Sequence, residues 1–216
     1  MARRKQSNPL FQLLLGMMLC LLIISGAVTF TLHFRPLYYL DIRLLNIEAL
    51  SGLDKAVIIR NYDALIDYNN LFNTKPLAFP DFIMSEAGRI HFEEVKAVFD
   101  LFGWMTILLL PLVLIGIWIA GRTKSKVYLK IAGILGILIP LLLTSCIALW
   151  WDRVFVIFHE LVFNNDYWIF DETTDPVITI LPDTFFMHCA VMILGIVFIG
   201  SILCLIFSRK KKYRRI

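Results

Sequence analysis

Titratable side chains and aromatic rings are concentrated in residues 158–186, FHELVFNNDYWIFDETTDPVITILPDTFF, between two long apolar runs. This segment contains an imidazole, His159, directly beside the carboxylate of Glu160. A second imidazole, His91, lies in a similar setting, two residues before Glu93. A neutral imidazole, with a reference pKa of about 6.5, is the side chain best suited to accept a proton at neutral pH. We therefore take His91 and His159 as the candidate catalytic residues.

The other two histidines fit structural roles better. His33 ends the first apolar run beside Arg35, where an imidazole can extend to the membrane interface. His188 lies about one helical turn inside the last apolar run, so it needs a polar partner. We predict that His188 is a hydrogen-bonded interfacial residue rather than a catalytic one.

Other kinds of chemistry have little support in the sequence. It contains no GxSxG, HExxH or CxxC motif and no glycine-rich phosphate loop. All four cysteines fall within apolar runs, which favours buried thiols over disulfide bonds. The basic clusters are explained by membrane topology and anionic lipid without nucleic acid. We expect no metal and no cofactor.

The composition places these residues in a membrane protein. Hydrophobic residues make up 59% of the chain, above the roughly 45–50% of an ordinary soluble domain. Four apolar runs are long enough to cross the hydrocarbon core of a bilayer. They cover residues 10–34, 101–120, 127–150 and 185–207. The first run exceeds the apolar region of a signal peptide, so we predict an uncleaved helix.

The charges indicate how these helices are oriented. All 17 acidic residues lie within 41–100 and 152–183, whereas basic residues cluster at 3–5, 122–130 and 209–215. Lysine and arginine near helix ends favour the cytoplasmic side. We therefore predict cytoplasmic termini and two extracellular segments, 35–100 and 151–184. Because about 65 residues cannot form a large core of their own, these segments should form a cap on a four-helix bundle. The fold class expected is an all-α membrane protein whose residues 1–216 form one domain.

Local patterns predict the helices that carry the candidate residues. A face made of Tyr62, Leu65, Ile66 and Asn69 favours a helix within 46–72, where Gly52 should break the chain into short helices. Residues 77–84 are predicted to be extended. Gly133 and Gly136 in the third run offer a small surface for close helix packing.

The two candidate imidazoles are each predicted to lie where the cap meets the bundle. A helix resuming at Ile90 and running into the second span puts His91 at that junction. Asp152, Phe155 and His159 share one face of a short helix after the third span, so Asp152 or Glu160 can orient His159. A turn should follow at 164–166.

The segment 158–186, together with NYDALIDYN at 61–69 and RIHFEEVKAVFDLF at 89–102, resembles the lipoprotein intramolecular transacylase (Lit) family of Firmicutes. The resemblance implies four helices under an extracellular cap and two catalytic histidines, which match His91 and His159. It also implies an aromatic reaction chamber. The candidates for substrate binding are Tyr62, Tyr68, Asn69, Asp152, Trp168 and Phe170.

The reaction that this resemblance implies moves the sn-2 acyl chain of a diacylglyceryl lipoprotein to the α-amine of its N-terminal cysteine. The partners are then diacylglyceryl-modified bacterial lipoproteins and membrane lipid, and we expect a monomer in the cell membrane. Two alternatives stay open. One is a non-enzymatic tetraspan scaffold or auxiliary subunit, although the WGLW motif and cysteine pair of claudin-like loops are missing. The other is a lipoprotein or lipid deacylase, which would release free fatty acid.

Overall fold

A computed structural model describes residues 8–123 and 125–209, apart from the side chains of Ile139 and Cys146. Its regular structure is helical, and no strand occurs in these two ranges, which confirms the predicted all-α class. The helices are α1 (Pro9–His33), α2 (Arg35–Leu44), α3 (Ile47–Ser51), α4 (Lys55–Tyr68), α5 (Glu86–Thr123), α6 (Val127–Phe163) and α7 (Asp183–Ser208). A short 3₁₀ helix at Pro176–Ile180 precedes α7.

Four of these helices are long and apolar enough to cross a membrane: α1, α5, the Val127–Ser145 part of α6, and α7. This confirms the predicted number of spans, and the chain is an integral membrane protein. Helix α1 packs against α5, α6 and α7, and α6 also packs against α7. The first span is therefore the centre around which the others assemble.

Glycines allow the spanning helices to approach closely. A methyl group at Gly133 of α6 would lie 2.6 Å from Cγ of Leu205 in α7. At Gly136, one turn later, it would overlap the Ser201 side chain of α7. The small surface predicted at these two positions is thus confirmed as the α6–α7 contact.

Helices α5 and α6 both extend beyond the bilayer into the cap. Helix α5 begins at Glu86, four residues earlier than the pattern predicts, and continues through Pro111 into the membrane. Helix α6 is interrupted at Trp150, whose φ of −147° and ψ of 49° are not helical, and then continues to Phe163. The predicted end of the third span at residue 150 and the short helix that follows correspond to this kink.

The core of the cap is built mainly from α2, α3, α4 and the 3₁₀ helix, and Phe92 of α5 and Phe185 of α7 complete it. Gly52, with a φ of 69°, separates α3 from α4, as predicted. The predicted inner face of α4 is buried at all four positions: Tyr62, Leu65, Ile66 and Asn69. Residues 77–84 form neither helix nor strand, so the expected extended piece is irregular chain.

A buried carboxylate joins the cap to the bundle. Asp41 of α2 is 1% exposed, and Nδ1 of His188 in α7 lies 2.9 Å from both of its oxygens. This confirms that His188 has the polar partner predicted for it. His33 is exposed at the end of α1, where its Nδ1 donates to the Thr29 carbonyl at 2.9 Å.

Candidate active site

His91 and His159 meet where the cap rests on the bundle. Their ring centroids are 6.0 Å apart, although they lie 68 positions apart in the sequence. His91 is contributed by the cap-side part of α5 and is 6% exposed. His159 is contributed by the part of α6 that follows the kink. We call these two side chains the imidazole pair.

Aromatic rings surround the imidazole pair. Phe163 lies 4.8 Å from His91 and 5.6 Å from His159, measured between ring centroids. Five further rings lie close to one imidazole of the pair, namely Phe170 at 5.4 Å and Phe92 at 5.9 Å from His91, and Trp168 at 4.7 Å, Phe155 at 4.2 Å and Phe158 at 5.4 Å from His159. We call the set formed by Phe155, Phe163, Trp168 and Phe170 the aromatic chamber. Such walls exclude water from whatever reacts between the imidazoles.

The structure determines which nitrogen of His159 can accept a proton. Nδ1 of His159 lies 2.7 Å from the backbone carbonyl oxygen of Phe155. Because a carbonyl oxygen only accepts hydrogen bonds, Nδ1 must carry the hydrogen, and Nε2 of the neutral ring has the free lone pair. Asp152 and Glu160 were expected to orient this ring, but the Phe155 carbonyl does so instead. Both carboxylates lie on exposed residues, and neither has a hydrogen bond to His159 in the described part of the chain.

Burial keeps both imidazoles neutral at neutral pH. The cap-side part of α5 that carries His91 is rich in charged residues and lies outside the membrane-spanning stretch. There, burial, together with a smaller effect of repulsion from a charged His159, lowers the pKa of His91 to about 4. Burial also lowers the pKa of His159, but the hydrogen bond to the Phe155 carbonyl acts in the opposite direction. His159 is therefore the better placed of the two to accept a proton.

Two nitrogens in the chamber are buried without a partner. Neither Nδ1 of His91 nor Nε1 of Trp168 has a hydrogen bond to any described residue. An unpaired buried polar group costs about 1–3 kcal/mol, so native proteins rarely keep one without a reason. Both nitrogens are free to bind a ligand that carries hydrogen-bonding groups.

Side-chain contacts hold the loop after α6 against α5. Asp175, which is 2% exposed, accepts a hydrogen bond from the backbone N–H of Ser85 at 2.8 Å, immediately before α5 begins. Its carboxylate fits there because the neighbouring residue of α5 is Gly88, where a methyl group would overlap it. At the other end of the loop, the Asn165 side-chain amide donates to Glu94 at 3.0 Å. These contacts fix the segment that places Phe170 against His91 and Trp168 against His159.

Of the predicted site residues, the structure brings together His91, His159, Trp168 and Phe170. Tyr62 packs in the cap core against Tyr38, with ring centroids 3.7 Å apart. Tyr68 and Asn69 are buried at the end of α4, where the Asn69 amide donates to the Leu65 carbonyl at 2.8 Å. Asp152 lies on α6, two turns before His159. In the described ranges, none of these four makes a ring contact or hydrogen bond with the imidazole pair.

Sequence reasoning placed Phe155 on the same helix face as His159 without naming it as a wall of the chamber, and it missed Phe163. Phe155 and Phe163 lie four residues before and four residues after His159, and side chains at this spacing meet on one face of a helix. That spacing was the signal that would have identified them. The turn predicted at 164–166 is confirmed, and it begins at Asn164, whose φ is 52°. Within the described residues, no three His, Cys, Asp or Glu side chains form a group that can hold a metal ion.

Comparisons with known proteins identify the family. The family model described as "Lipoprotein intramolecular transacylase Lit" matches residues 13–186. A solved structure of the membrane integral lipoprotein intramolecular transacylase Lit from Bacillus cereus is 37% identical and has a TM-score of 0.90, covering 93% of each chain. A structure of the same Bacillus cereus protein with one histidine mutated to alanine is 36% identical and has a TM-score of 0.83. It covers 93% of this chain and 91% of that one. The comparison with curated proteins gave no match. The chain described here therefore belongs to the lipoprotein intramolecular transacylase family.

Proposed function

We propose that this protein moves the sn-2 acyl chain of a diacylglyceryl lipoprotein to the α-amine of the lipoprotein's N-terminal cysteine. The ester C–O bond breaks, an amide C–N bond forms, and the amine proton ends on the glyceryl oxygen. The product is a lyso-form lipoprotein, and neither water nor a second acyl donor takes part. The observation that carries this proposal is the imidazole pair, with ring centroids 6.0 Å apart and walled by the aromatic chamber.

The chamber supports an intramolecular reaction. Attack of the amine on the ester closes an eight-membered ring, which is rarely populated by a flexible molecule in solution. Holding amine and ester in contact removes this entropic cost, and well-oriented systems gain up to about 7–11 kcal/mol in this way. The aromatic walls also exclude water, which would otherwise hydrolyse the ester.

His159 acts as the general base in this mechanism. Its Nε2 has the free lone pair because Nδ1 is held by the Phe155 carbonyl at 2.7 Å. The substrate α-ammonium has a reference pKa of only about 7.7–8.0, so a neutral imidazole can remove its proton near neutral pH. Hydrogen bonding to Phe155 also stabilises the imidazolium that forms.

His91 and Trp168 stabilise the ester as it reacts. His91 is buried and Trp168 is half-buried, and each has a buried ring nitrogen without a partner in the described ranges. A neutral His91 that carries its hydrogen on Nδ1 can donate a hydrogen bond to the oxyanion of the tetrahedral intermediate, while the proton that His159 took from the amine passes from the His159 imidazolium to the departing glyceryl oxygen. The Trp168 N–H supplies a second donor. Donors already aimed at developing charge usually lower a barrier more than any other group.

Three of the other predicted substrate-binding residues lie farther from the imidazole pair and have an indirect role in this proposal. Tyr62, Tyr68 and Asn69 are buried in the cap core, where they support the chamber from behind. The cap faces the cell exterior and both termini face the cytoplasm, as the distribution of basic residues indicates. A monomer is sufficient because both imidazoles come from one chain.

Replacing the imidazoles tests the proposal. His91→Ala and His159→Ala would be expressed in a strain without other lipoprotein N-acylation, and lipopeptides would be read by mass spectrometry. General acid–base help is typically worth about 10²- to 10⁴-fold, so each variant should lose nearly all of the lyso-form product. His33→Ala is a matched control, because His33 also donates Nδ1–H to the carbonyl four residues earlier but lies outside the chamber.

The product distinguishes the alternatives. Undiminished lyso-form lipoprotein from both variants would rule out this mechanism. Release of free fatty acid by the wild-type protein, with no N-acyl product, would identify a deacylase instead.

A further inference from the structure

A crevice opens between α6 and α7 on the membrane side of the imidazole pair. It is an open crevice of about 420 Å³, lined by Met187 of α7 and by residues 147–153 of α6, whose charged members, Asp152 and Arg153, lie at the cap-side end. Its position coincides with the kink at Trp150, where the backbone leaves helical geometry. A break of this kind interrupts the regular packing of one helix on its neighbour.

The crevice leads toward the aromatic chamber. Asp152, at its cap-side end, precedes His159 by seven residues, which is about 10 Å along a helix. Phe155 lies between them, with its ring centroid 4.2 Å from His159 and 5.8 Å from Trp151. From the α7 side, Phe186 is 6.0 Å from Phe155 and adjoins Met187. A continuous apolar surface therefore runs from the reacting centre down to the crevice.

The geometry of the substrate indicates which of its parts occupies the crevice. The carbonyl carbon of the transferred ester must lie at the imidazole pair, so its hydrocarbon tail must leave the chamber. The tail is apolar, and an apolar route from His159 toward the bilayer passes Phe155 and Phe186 into the crevice. The glyceryl and peptide parts, which are polar, stay at the cap.

We propose that this crevice is the binding site for the acyl chain that is transferred, the sn-2 chain of the diacylglyceryl group. This inference rests on the proposed function and adds to it the part of the protein that selects acyl-chain length. Asp152, predicted as a substrate-binding residue, then lies at the end of the crevice nearest the chamber rather than beside the ester.

The test narrows the crevice by substitution and varies the length of the sn-2 acyl chain. Purified protein in detergent would receive synthetic diacylglyceryl lipopeptides with a fixed sn-1 chain and an sn-2 chain of either about eight or about sixteen carbons. The N-acyl product would be quantified by mass spectrometry. Ala148→Trp narrows the crevice from α6 and Met187→Trp narrows it from α7. Leu142→Trp is the matched control, since Leu142 is 70% exposed on α6 and lies outside the crevice.

We expect Ala148→Trp and Met187→Trp to lower the turnover of the long sn-2 chain at least about tenfold relative to the short one. Turnover of the short chain shows that each variant is folded. Leu142→Trp should keep the wild-type ratio. Two independent crevice variants ensure that a folding defect in one does not decide the result.

Two results would overturn the inference while leaving the proposed function intact. An unchanged ratio in both active crevice variants would show that the transferred chain does not occupy the crevice. A second pair of substrates, with a fixed sn-2 chain and an sn-1 chain of about eight or about sixteen carbons, would place the other acyl tail there if the crevice variants discriminate between its two members. A wild-type protein that forms no N-acyl product with either substrate would instead overturn the proposed function.

Discussion

The chemistry of the site depends on which nitrogen of each imidazole is already engaged. His159 has Nδ1 on a backbone carbonyl, whereas Nδ1 of His91 is buried and has no described partner. Two neutral histidines at 6.0 Å are therefore not equivalent. A fixed tautomer suits a base, and an unpaired buried nitrogen suits a group that meets the substrate.

The role of the Trp168 indole N–H can be tested by a single substitution. Trp168→Phe keeps an aromatic wall but removes a donor, so the rate of acyl transfer should fall about a hundredfold. Because the lost N–H has no partner among the described residues, stability should stay within about 1 kcal/mol of wild type or rise. Lipopeptide mass spectrometry and thermal unfolding in detergent measure the two effects. The control is Trp104→Phe, an exposed tryptophan on α5, and an equal loss of activity there would contradict the role given to Trp168.

The buried imidazole of His91 should make stability depend on pH. Its pKa is about 4 in the folded protein and about 6.5 when unfolded, so the unfolded chain binds the proton first as the pH falls. Stability is complete above about pH 6.5 and should decrease progressively down to about pH 4. The variant His91→Leu should lose part of this slope in thermal unfolding measured over that range. His33→Leu, which alters an exposed histidine, should keep it.

If His91→Leu unfolds with the wild-type pH slope, His91 is not the group that couples stability to pH. His159, whose pKa burial also lowers, contributes a slope of the same sign. The two contributions separate in the double variant. This comparison concerns stability and does not depend on the catalytic assignment.

At the scale of elements, the site depends on a loop held against a helix end. The segment between α6 and α7 carries two walls of the chamber, and Asp175 fixes it to the start of α5. Helix α5 in turn carries His91 one turn further along. The buried carboxylate of Asp175 thus helps to position the loop relative to the helix that carries this imidazole.

A methyl group at Gly88 should disturb this arrangement. Gly88→Ala places a carbon on the Asp175 carboxylate, which must move, and overpacking of this kind costs about 1–3 kcal/mol. Both thermal stability and transfer rate should fall, because Trp168 and Phe170 shift with the loop. The matched control is Gly121→Ala in the same helix, where nothing lies within 4 Å of the added carbon. Equal behaviour of the two variants would show that the contact at Gly88 does not position the loop.

At the scale of the whole molecule, the cap is joined to the bundle by polar and apolar contacts together. Tyr38 of the cap packs against Phe185 at the start of α7, with ring centroids 5.0 Å apart. One turn further, the buried Asp41 meets His188. Because the imidazole pair is formed by helices that connect cap and bundle, the docking of these two parts keeps the site assembled.

The Asp41–His188 contact gives a test of this docking. His188→Leu leaves a buried carboxylate without its partner and should be strongly destabilising, by about 3–5 kcal/mol. The double variant Asp41→Leu/His188→Leu removes both polar groups and should recover much of that loss. Thermal unfolding of single and double variants in detergent, analysed as a double-mutant cycle, measures the coupling. Additive effects would show that the two side chains are not energetically linked.

The sequence alone determined the parts of this protein that depend on local composition and periodicity. Apolar runs of sufficient length predicted all four spans. A segment that crosses the hydrocarbon core must make its backbone hydrogen bonds within itself, as a helix does, so its own length and composition identify it. Helical spacing predicted the buried face of α4. The break at Gly52 was predictable because glycine readily adopts the positive φ found there. Both candidate histidines were identified as groups at the junction of cap and bundle.

Only the tertiary structure decided what those groups do together. No local pattern brings His91 to within 6.0 Å of His159, because their approach follows from the packing of α5 and α6 and from the loop that Asp175 holds in place. The same packing replaced an expected carboxylate partner of His159 with a backbone carbonyl, and it put Tyr62 in the cap core. Hydropathy and helical periodicity act over a few turns of chain, whereas the relative positions of the helices depend on side-chain fit between segments far apart in sequence.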